Sequence, residues 1–503
     1  MKNTKQPNPR RQNGLFRGAL NNYVKKISGF SLGSLVALTT SFASQQPNIV
    51  VLLADDLGYG EVQALNPEFG KIKTPALDQL IGEGMTFTDA HSGSSVCTPT
   101  RYGLMTGRYA WRTRLQSRVL TGGESLIAQE TLTIAEMLKQ QGYDTVMIGK
   151  WHLGMMFDGV KTPGRGQVKV GAKVSHGPID FGGFDQFFGF HHAGQMDLWI
   201  EDVVMTENLE AVEMLPKLTQ TAVNYIESRK GSDTPFFMYI PWNAPHGPVV
   251  PSAAWEGKSG INAFADFVMQ TDNSYGQVIQ ALKDNGFFEN TLVICSSDNG
   301  TSPTTSGQKQ LAQAGHRSSA GFRGMKADIW EGGHRVPFIV SWPGEVAAGS
   351  RSDALVCLTD VMATAAELTD YTMQEDDGVD SFSFLSVLRG EANKSRQDVI
   401  HHSVNGSFAI REKQWKLACN PGSGGWAAPN DQKQLAINGR ESPLNYQLYD
   451  MTKDPEETTN LSAQYPEVVE RLRQQLQSQI DAGRTTAGVT QLNDAAIKVD
   501  KWA

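Results

Sequence analysis

The sequence predicts an α/β fold, with a large, mostly parallel sheet flanked by helices and a smaller C-terminal α+β part carrying an antiparallel sheet. Three observations carry this expectation. Continuous apolar, β-branched runs such as Asn48–Ala54 fit strands covered on both faces. These runs alternate with helical segments, as parallel sheets require. After about residue 390 the chain changes to short strands separated by Gly-, Asn- and Pro-rich stretches.

In order, the first strand, Asn48–Ala54, runs into Asp55-Asp56-Leu57-Gly58. Thr74-Pro75 opens a helix, with Thr at the N-cap and Pro at the first helical position. It carries Leu77, Leu80 and Ile81 and stops near Gly84. A second unit joins a helix over Thr131–Gln141 to a strand over Asp144–Ile148. A third joins Leu218–Arg229 to Phe236–Ile240, and a fourth joins Phe264–Asp284 to Leu292–Ser296. A further strand, Val336–Trp342, ends at Pro343-Gly344. Beyond it, Ser407–Ile410 and Trp415–Cys419 read as antiparallel strands, followed by the loop Asn420–Asn430, the segment Gln447–Asp450 and an amphipathic helix over Pro466–Ala482. The expected division is residues 44–390 for the main domain and 391–503 for the C-terminal subdomain.

The first 43 residues read as an export signal. Basic residues (Lys2, Lys5, Arg10, Arg11, Arg17, Lys25, Lys26) precede a short apolar stretch, Ile27–Leu38, and small residues stand at Ser41 and Ala43. The competing reading is a buried helix. The apolar stretch is too short for an integral membrane span. The expectation is therefore an exported protein, periplasmic or secreted. A net charge of -8 over 503 residues gives no electrostatic support for a nucleic-acid role. Four cysteines are too few for a disulfide scaffold. Cys295 sits in an apolar run, and Cys357 with Cys419 is a candidate pair that the sequence leaves open, as it does the oligomeric state.

In open α/β sheets ligands gather beyond the carboxyl ends of strands. Asp55 and Asp56 follow the first strand. Lys150-Trp151-His152 follows the second, Ala244-Pro245-His246 the third and Asp298-Asn299-Gly300 the fourth. Taken alone, each is equally a cap, a turn or a solvated charge. Four polar groups at one sheet edge point instead to a site. The oxygen donors of Asp55, Asp56, Asp298 and Asn299 suit a hard divalent cation such as Ca²⁺ or Mg²⁺.

The run Cys97-Thr98-Pro99-Thr100-Arg101, continuing through Leu104-Met105-Thr106-Gly107, resembles the sulfatase signature Cys-x-Pro-x-Arg. The resemblance covers most of the chain. It includes Asp55-Asp56, Gly149–Gly154, Ala244-Pro245-His246, Ser297–Gly300, Arg323–Lys326 with Trp330–Gly333, and the C-terminal Leu448-Tyr449-Asp450. It implies an alkaline-phosphatase-like fold and an enzyme that hydrolyses sulfuric esters. It also implies that Cys97 is converted by a maturation enzyme to formylglycine, whose hydrate is the nucleophile. One calcium ion would be held by Asp55, Asp56, Asp298, Asn299 and the residue-97 oxygen. Arg101 would steady residue 97, Lys150 and Lys326 would clamp the sulfate, His246 would protonate the leaving alcohol and His152 would take the second proton. Thr98 stands where Ser or Ala is common, and Met325 and Ala327 replace common glycines. His334 reads as structural, and His401-His402 receives no role.

Residues 155–202 are the expected place for substrate recognition, through Arg165, His176, His191, His192 and Trp199; a solvated insertion is the competing reading. Trp426, in the C-terminal loop, is a further aromatic that could reach the cleft. A sulfated algal galactan such as carrageenan is the first expected substrate, with glycosaminoglycans and aryl sulfates as alternatives. A phosphonate or phosphate monoester hydrolase, and an inactive polysaccharide-binding relative, are the competing functions.

Overall fold

The computed structural model describes residues 46–158, 168–206, 208–391, 395–428 and 446–500. The expected export signal over residues 1–43, and Arg165, lie outside the described residues.

The first strands are β1 (Asn48–Asp55), β2 (Met85–His91) and β3 (Asp144–Lys150). A small ribbon of β4 (Met156–Phe157) and β5 (Val174–His176) follows. Next come β6 (Gln186–Phe190), β7 (Trp199–Glu201), β8 (Val203–Thr206) and β9 (Phe236–Pro245). Then β10 (Thr291–Ser297), β11 (Phe338–Ser341) and β12 (Ser350–Cys357) complete the main sheet. Its order is β12-β2-β11-β10-β1-β9-β3-β6-β7-β8. The central block from β10 to β6 is parallel, and β11 and β7 enter antiparallel on either side.

The apolar run of β1 explains its central place. Successive side chains point to opposite faces. Ile49, Val51 and Leu53 join the core on one face, while Val50, Leu52 and Ala54 join the core on the other. Helices Cys97–Thr106, Ile134–Gln140 and Asp360–Leu368 cover the first face. Helices Pro75–Glu83, Ala211–Ser228 and Ala263–Asp284 cover the second.

Two local expectations are corrected. Thr74 does not cap the Pro75 helix; its hydroxyl accepts from the Gln63 amide, and Asp272 of the long helix accepts from Ala76 and Leu77 instead. The third helix begins at Ala211 and carries Pro216 within it.

The C-terminal sheet has β13 (Asp398–His402), β14 (Phe408–Glu412), β15 (Trp415–Ala418) and β16 (Gln447–Asp450), all antiparallel in sequence order. Helix Pro466–Asp481 lays Val469, Leu472, Leu476 and Ile480 on it, a helical spacing that forms one apolar stripe. Tyr109, Trp111, Leu355 and Cys357 of the main part enter the same apolar cluster. Cys357 and Cys419 both reach that cluster as free thiols. A buried polar seam runs beside it. The His334 ring stacks on His401 at 3.5 Å, and His91 Nδ1 lies 3.0 Å from His334 Nδ1. Arg411 donates to both oxygens of Asp89, and Lys416 to Glu331.

Candidate active site

The parallel block brings its carboxyl ends to one edge. In sheet order these ends deliver Asp298 and Asn299 after β10, Asp55 and Asp56 at β1, His246 after β9, Lys150 and His152 at β3, and His191 and His192 after β6. Register fixes the neighbours: Ala54 pairs with Ser297, and Asp55 with Pro245. Cys97 is the first residue of a helix, so the positive end of the helix dipole points at it. Lys326 arrives from the loop between β10 and β11.

These residues form one buried network. Arg101 donates to Asp298 Oδ2 through Nε at 3.1 Å and Nη2 at 2.7 Å, and through Nη1 to the Lys150 carbonyl at 3.0 Å. Lys150 Nζ donates to Asp55 Oδ2 at 2.6 Å. Lys326 Nζ donates to Asp56 Oδ1 and lies 3.4 Å from Cys97 Sγ. Cys97 Sγ is 3.5 Å from Asp55 Oδ1. Asn299 Nδ2 donates to Asp56 Oδ1 at 2.7 Å, and the Asp56 amide to Asp298 Oδ1 at 3.1 Å. The formal charges of Asp55, Asp56 and Asp298 are matched by Arg101, Lys150 and Lys326, so the network is neutral before anything binds. Burial opposes ionisation of Asp55, yet Lys150, His246, Arg101 and Lys326 hold its carboxyl well below the usual range.

The chain is strained where these groups meet. Asp56, His152 and Ala327, next to Lys326, take φ of 68°, 59° and 81°, a left-handed conformation unfavourable for residues with a Cβ. Ala327 therefore stands where glycine would be relaxed. Thr98, the other departure from the signature, has a local use: its hydroxyl accepts from the Leu120 amide at 3.2 Å.

Hydrogen bonds to backbone carbonyls orient the two histidine rings. His152 Nε2 lies 2.7 Å from the Leu120 carbonyl, which can only accept, so that nitrogen carries hydrogen. Burial, with Lys150 beside it, pushes the His152 imidazolium well down. The ring is thus neutral, and its Nδ1 is a buried lone pair with no hydrogen-bond partner among the described residues. His246 Nδ1 donates to the Gly247 carbonyl at 2.6 Å, leaving Nε2 turned to Asp56 Oδ2 at 3.8 Å.

A hard cation fits the carboxylate group. Asp56 Oδ2 and Asn299 Oδ1 are buried oxygens that meet no hydrogen-bond donor among the described residues, and such orphans are costly unless a cation or water meets them. One ligand atom each from Asp55, Asp56, Cys97 and His246 lies within 4.8 Å of the others. Asp55, Asp56, Asp298 and Asn299 supply the oxygen set such an ion prefers.

Of the expected substrate residues, the structure brings His191 and His192 to His152, with ring centroids at 6.2 and 6.0 Å. His176 pairs with Met156 across the small ribbon and stacks on Phe181; it makes no hydrogen bond to the carboxylate network. Trp199 is a buried core residue whose indole N–H donates to Glu201, so it is not presented as a sugar platform. Asn243 joins the site without a sequence motif: both of its amide atoms are buried just before His246, with no hydrogen-bond partner among the described residues. Its only sequence signal is its place at the end of an apolar strand.

The centre gathers three cations, three carboxylates and two imidazoles around residue 97. The chain belongs to the sulfatase family, whose model matches residues 47–371. It is 31 % identical to the N-acetylgalactosamine-6-O-sulfatase of Bacteroides thetaiotaomicron, over 86 % of this chain and 93 % of the relative. It is 32 % identical to human arylsulfatase A, over 90 % of this chain and 92 % of the relative. A Bacteroides thetaiotaomicron sulfatase solved in work on the metabolism of multiple glycosaminoglycans superposes with a TM-score of 0.75 at 28 % identity, covering 86 % of this chain and 99 % of the other. Ps i-CgsB, solved in complex with k-i-k-neocarrahexaose, shares the fold with a TM-score of 0.70 at 24 % identity, covering 89 % of this chain and 95 % of the other. The protein is a sulfuric ester hydrolase.

Proposed function

We propose that this enzyme removes sulfate from a sulfated carbohydrate, using a formylglycine hydrate formed from Cys97 beside a calcium ion. The observation that carries the reading is the neutral network around residue 97. A divalent cation and a singly charged sulfate ester can enter it together with little change in net charge, and the sulfate dianion formed on hydrolysis then balances the cation. A calcium ion held by Asp55, Asp56, Asp298 and Asn299 would withdraw electron density from oxygens beside it.

The chain's own residues do the rest. Lys150 and Lys326 hold the sulfate oxygens, and Arg101 steadies residue 97 through Asp298 and the Lys150 carbonyl. A formylglycine hydrate at residue 97 would supply the oxygen that bonds to sulfur as the ester S–O bond breaks, and a second hydroxyl whose loss of a proton expels inorganic sulfate and restores the aldehyde. Asp55, beside residue 97, would accept the proton of the attacking hydroxyl, the His246 imidazolium would give its Nε2 proton to the leaving alcohol, and His152 Nδ1 would take the proton of the second hydroxyl. An unmodified thiol lacks the second hydroxyl that this release needs.

A galacto-configured sugar is the reading best supported for the substrate. The N-acetylgalactosamine-6-O-sulfatase relative favours a 6-sulfated amino sugar of a glycosaminoglycan, and a carrageenan-type galactan shares the same ring configuration. Residues 44–390 would form the catalytic domain and 391–503 the subdomain closing it, exported behind a signal over residues 1–43. Among the described residues no helix is long and apolar enough to cross a membrane. Sulfate release from defined chondroitin and carrageenan oligosaccharides, with NMR locating the lost group, tests the reading. Faster turnover of a matched phosphonate ester than of the sulfate ester would move the enzyme to the competing class.

A further inference from the structure

Hydrogen bonds trace a closed circuit around the mouth of the site. The Leu120 amide donates to Thr98, beside Cys97, and the Leu120 carbonyl accepts from His152. Two residues back, the Arg118 amide donates to the Val404 carbonyl at 2.7 Å, and the Val404 amide donates to the Ala327 carbonyl at 3.0 Å. Ala327 follows Lys326, whose Nζ returns to Cys97. The C-terminal subdomain therefore reaches the edge of the site, through Val404 and the glycine loop behind it. Gly425 packs so closely on this edge that a Cβ there would lie 2.3 Å from the Ala327 carbonyl oxygen.

Two side chains stand free on that circuit. Trp426 is 46 % exposed, although its backbone is rigid: the Trp426 and Ala427 amides both donate to Asp328 Oδ1, at 2.9 and 3.0 Å. Arg118 is exposed, and its guanidinium makes no hydrogen bond or ion pair with any described residue. Its backbone is held at φ 63°, a conformation that arginine adopts only under constraint. An unpaired cation at the cleft mouth of a chain with net charge -8 draws anions locally while the rest of the surface repels them. An indole on a fixed backbone offers a flat apolar face at little entropic cost.

We infer that Arg118 and Trp426 form a saccharide subsite outside the sulfate pocket: Trp426 stacks on a pyranose ring, and Arg118 pairs with a second anionic group, sulfate or carboxylate, on the chain being desulfated. The inference rests on the sulfatase reading above and adds that the substrate is an oligosaccharide carrying more than one charge. Both residues act on binding, since neither touches residue 97.

The test compares Trp426→Ala, Trp426→Phe, Arg118→Ala and Arg118→Lys with wild type. The substrates are 4-nitrophenyl sulfate and whichever of chondroitin 6-sulfate tetrasaccharide or ι-carrageenan tetrasaccharide the wild type turns over. Each alanine variant should raise KM for the tetrasaccharide about tenfold, the scale of one good contact, with kcat and turnover of the aryl sulfate within about twofold. Trp426→Phe and Arg118→Lys should recover most of the loss, and Arg118→Ala should flatten the salt dependence of kcat/KM. The same substitutions made in a Cys97→Ala background should weaken tetrasaccharide binding, measured by calorimetry, by the same factor. Unchanged KM and binding in variants of wild-type Tm would overturn the subsite, as would equal losses on the aryl ester. No sulfate release by wild type from any substrate would defeat the sulfatase reading alone, because the binding measurement still decides the subsite.

Discussion

Arg101 grips a single oxygen of Asp298 with two nitrogens, Nε at 3.1 Å and Nη2 at 2.7 Å, in a site with no solvent access to either side chain. The geometry leaves Asp298 Oδ1 for the Asp56 amide and Arg101 Nη1 for the Lys150 carbonyl. One guanidinium thus ties together three of the strand ends that build the site.

Arg101→Ala should abolish activity and destabilise the protein by about 3–5 kcal/mol, because it strands a buried carboxylate. Arg101→Lys keeps the charge but cannot make the fork, so it should recover stability in part and activity hardly at all. Urea denaturation with sulfate-release assays checks both. Wild-type kcat in Arg101→Lys would show that the fork does not matter.

Removing the cation should both silence and loosen the enzyme. The orphaned oxygens of Asp56 and Asn299 and the adjacent carboxylates repay a bound ion. Dialysis against a chelator should therefore lower Tm and activity, and added calcium should restore both. An ion at a hundred times its Kd stabilises by about 2.7 kcal/mol. Undiminished activity after exhaustive chelation would exclude a cation role.

The stacked histidines of the seam set an acid limit on stability. Burial, then Lys416 and His91, pushes the His401 imidazolium well below its ordinary range, against the opposing pull of Glu331; its ring nitrogens have no hydrogen-bond partner among the described residues. Below about pH 6.5 the unfolded chain binds a proton here that the native state does not, so stability is full above that value and falls as pH falls. His401→Phe keeps the stack on His334 and removes the unpaired nitrogens. It should match or exceed wild-type stability at pH 7, by about 1 kcal/mol, and lose less Tm between pH 7 and pH 5. An equal or steeper loss would show that His401 does not carry the effect.

What the sequence reveals of the fold follows from burial. β1, β9 and β10 are covered on both faces and read as unbroken apolar runs. β2 and β12 escape notice because Thr86, Asp89 and Ser350–Asp353 interrupt their runs with polar residues. The helix over Cys97–Thr106 shows no amphipathic period because every residue in it is buried, and it contains Pro99 and Gly103. Asp55, Lys150, His246 and Asp298 are legible because they close apolar strands. The Leu120 carbonyl, the Val404 bridge and the Asp272 cap are not, since each depends on a contact far away in sequence. Trp199 shows the converse: an aromatic in a polar insertion that packs inward.

The central claim is that residue 97 works as a formylglycine and not as a thiol. Mass spectrometry of the peptide carrying residue 97, taken from a preparation of measured sulfatase activity, tests it most directly. The account predicts the formylglycine mass in a fraction of molecules that scales with specific activity across preparations. Unmodified cysteine throughout a fully active preparation would contradict it.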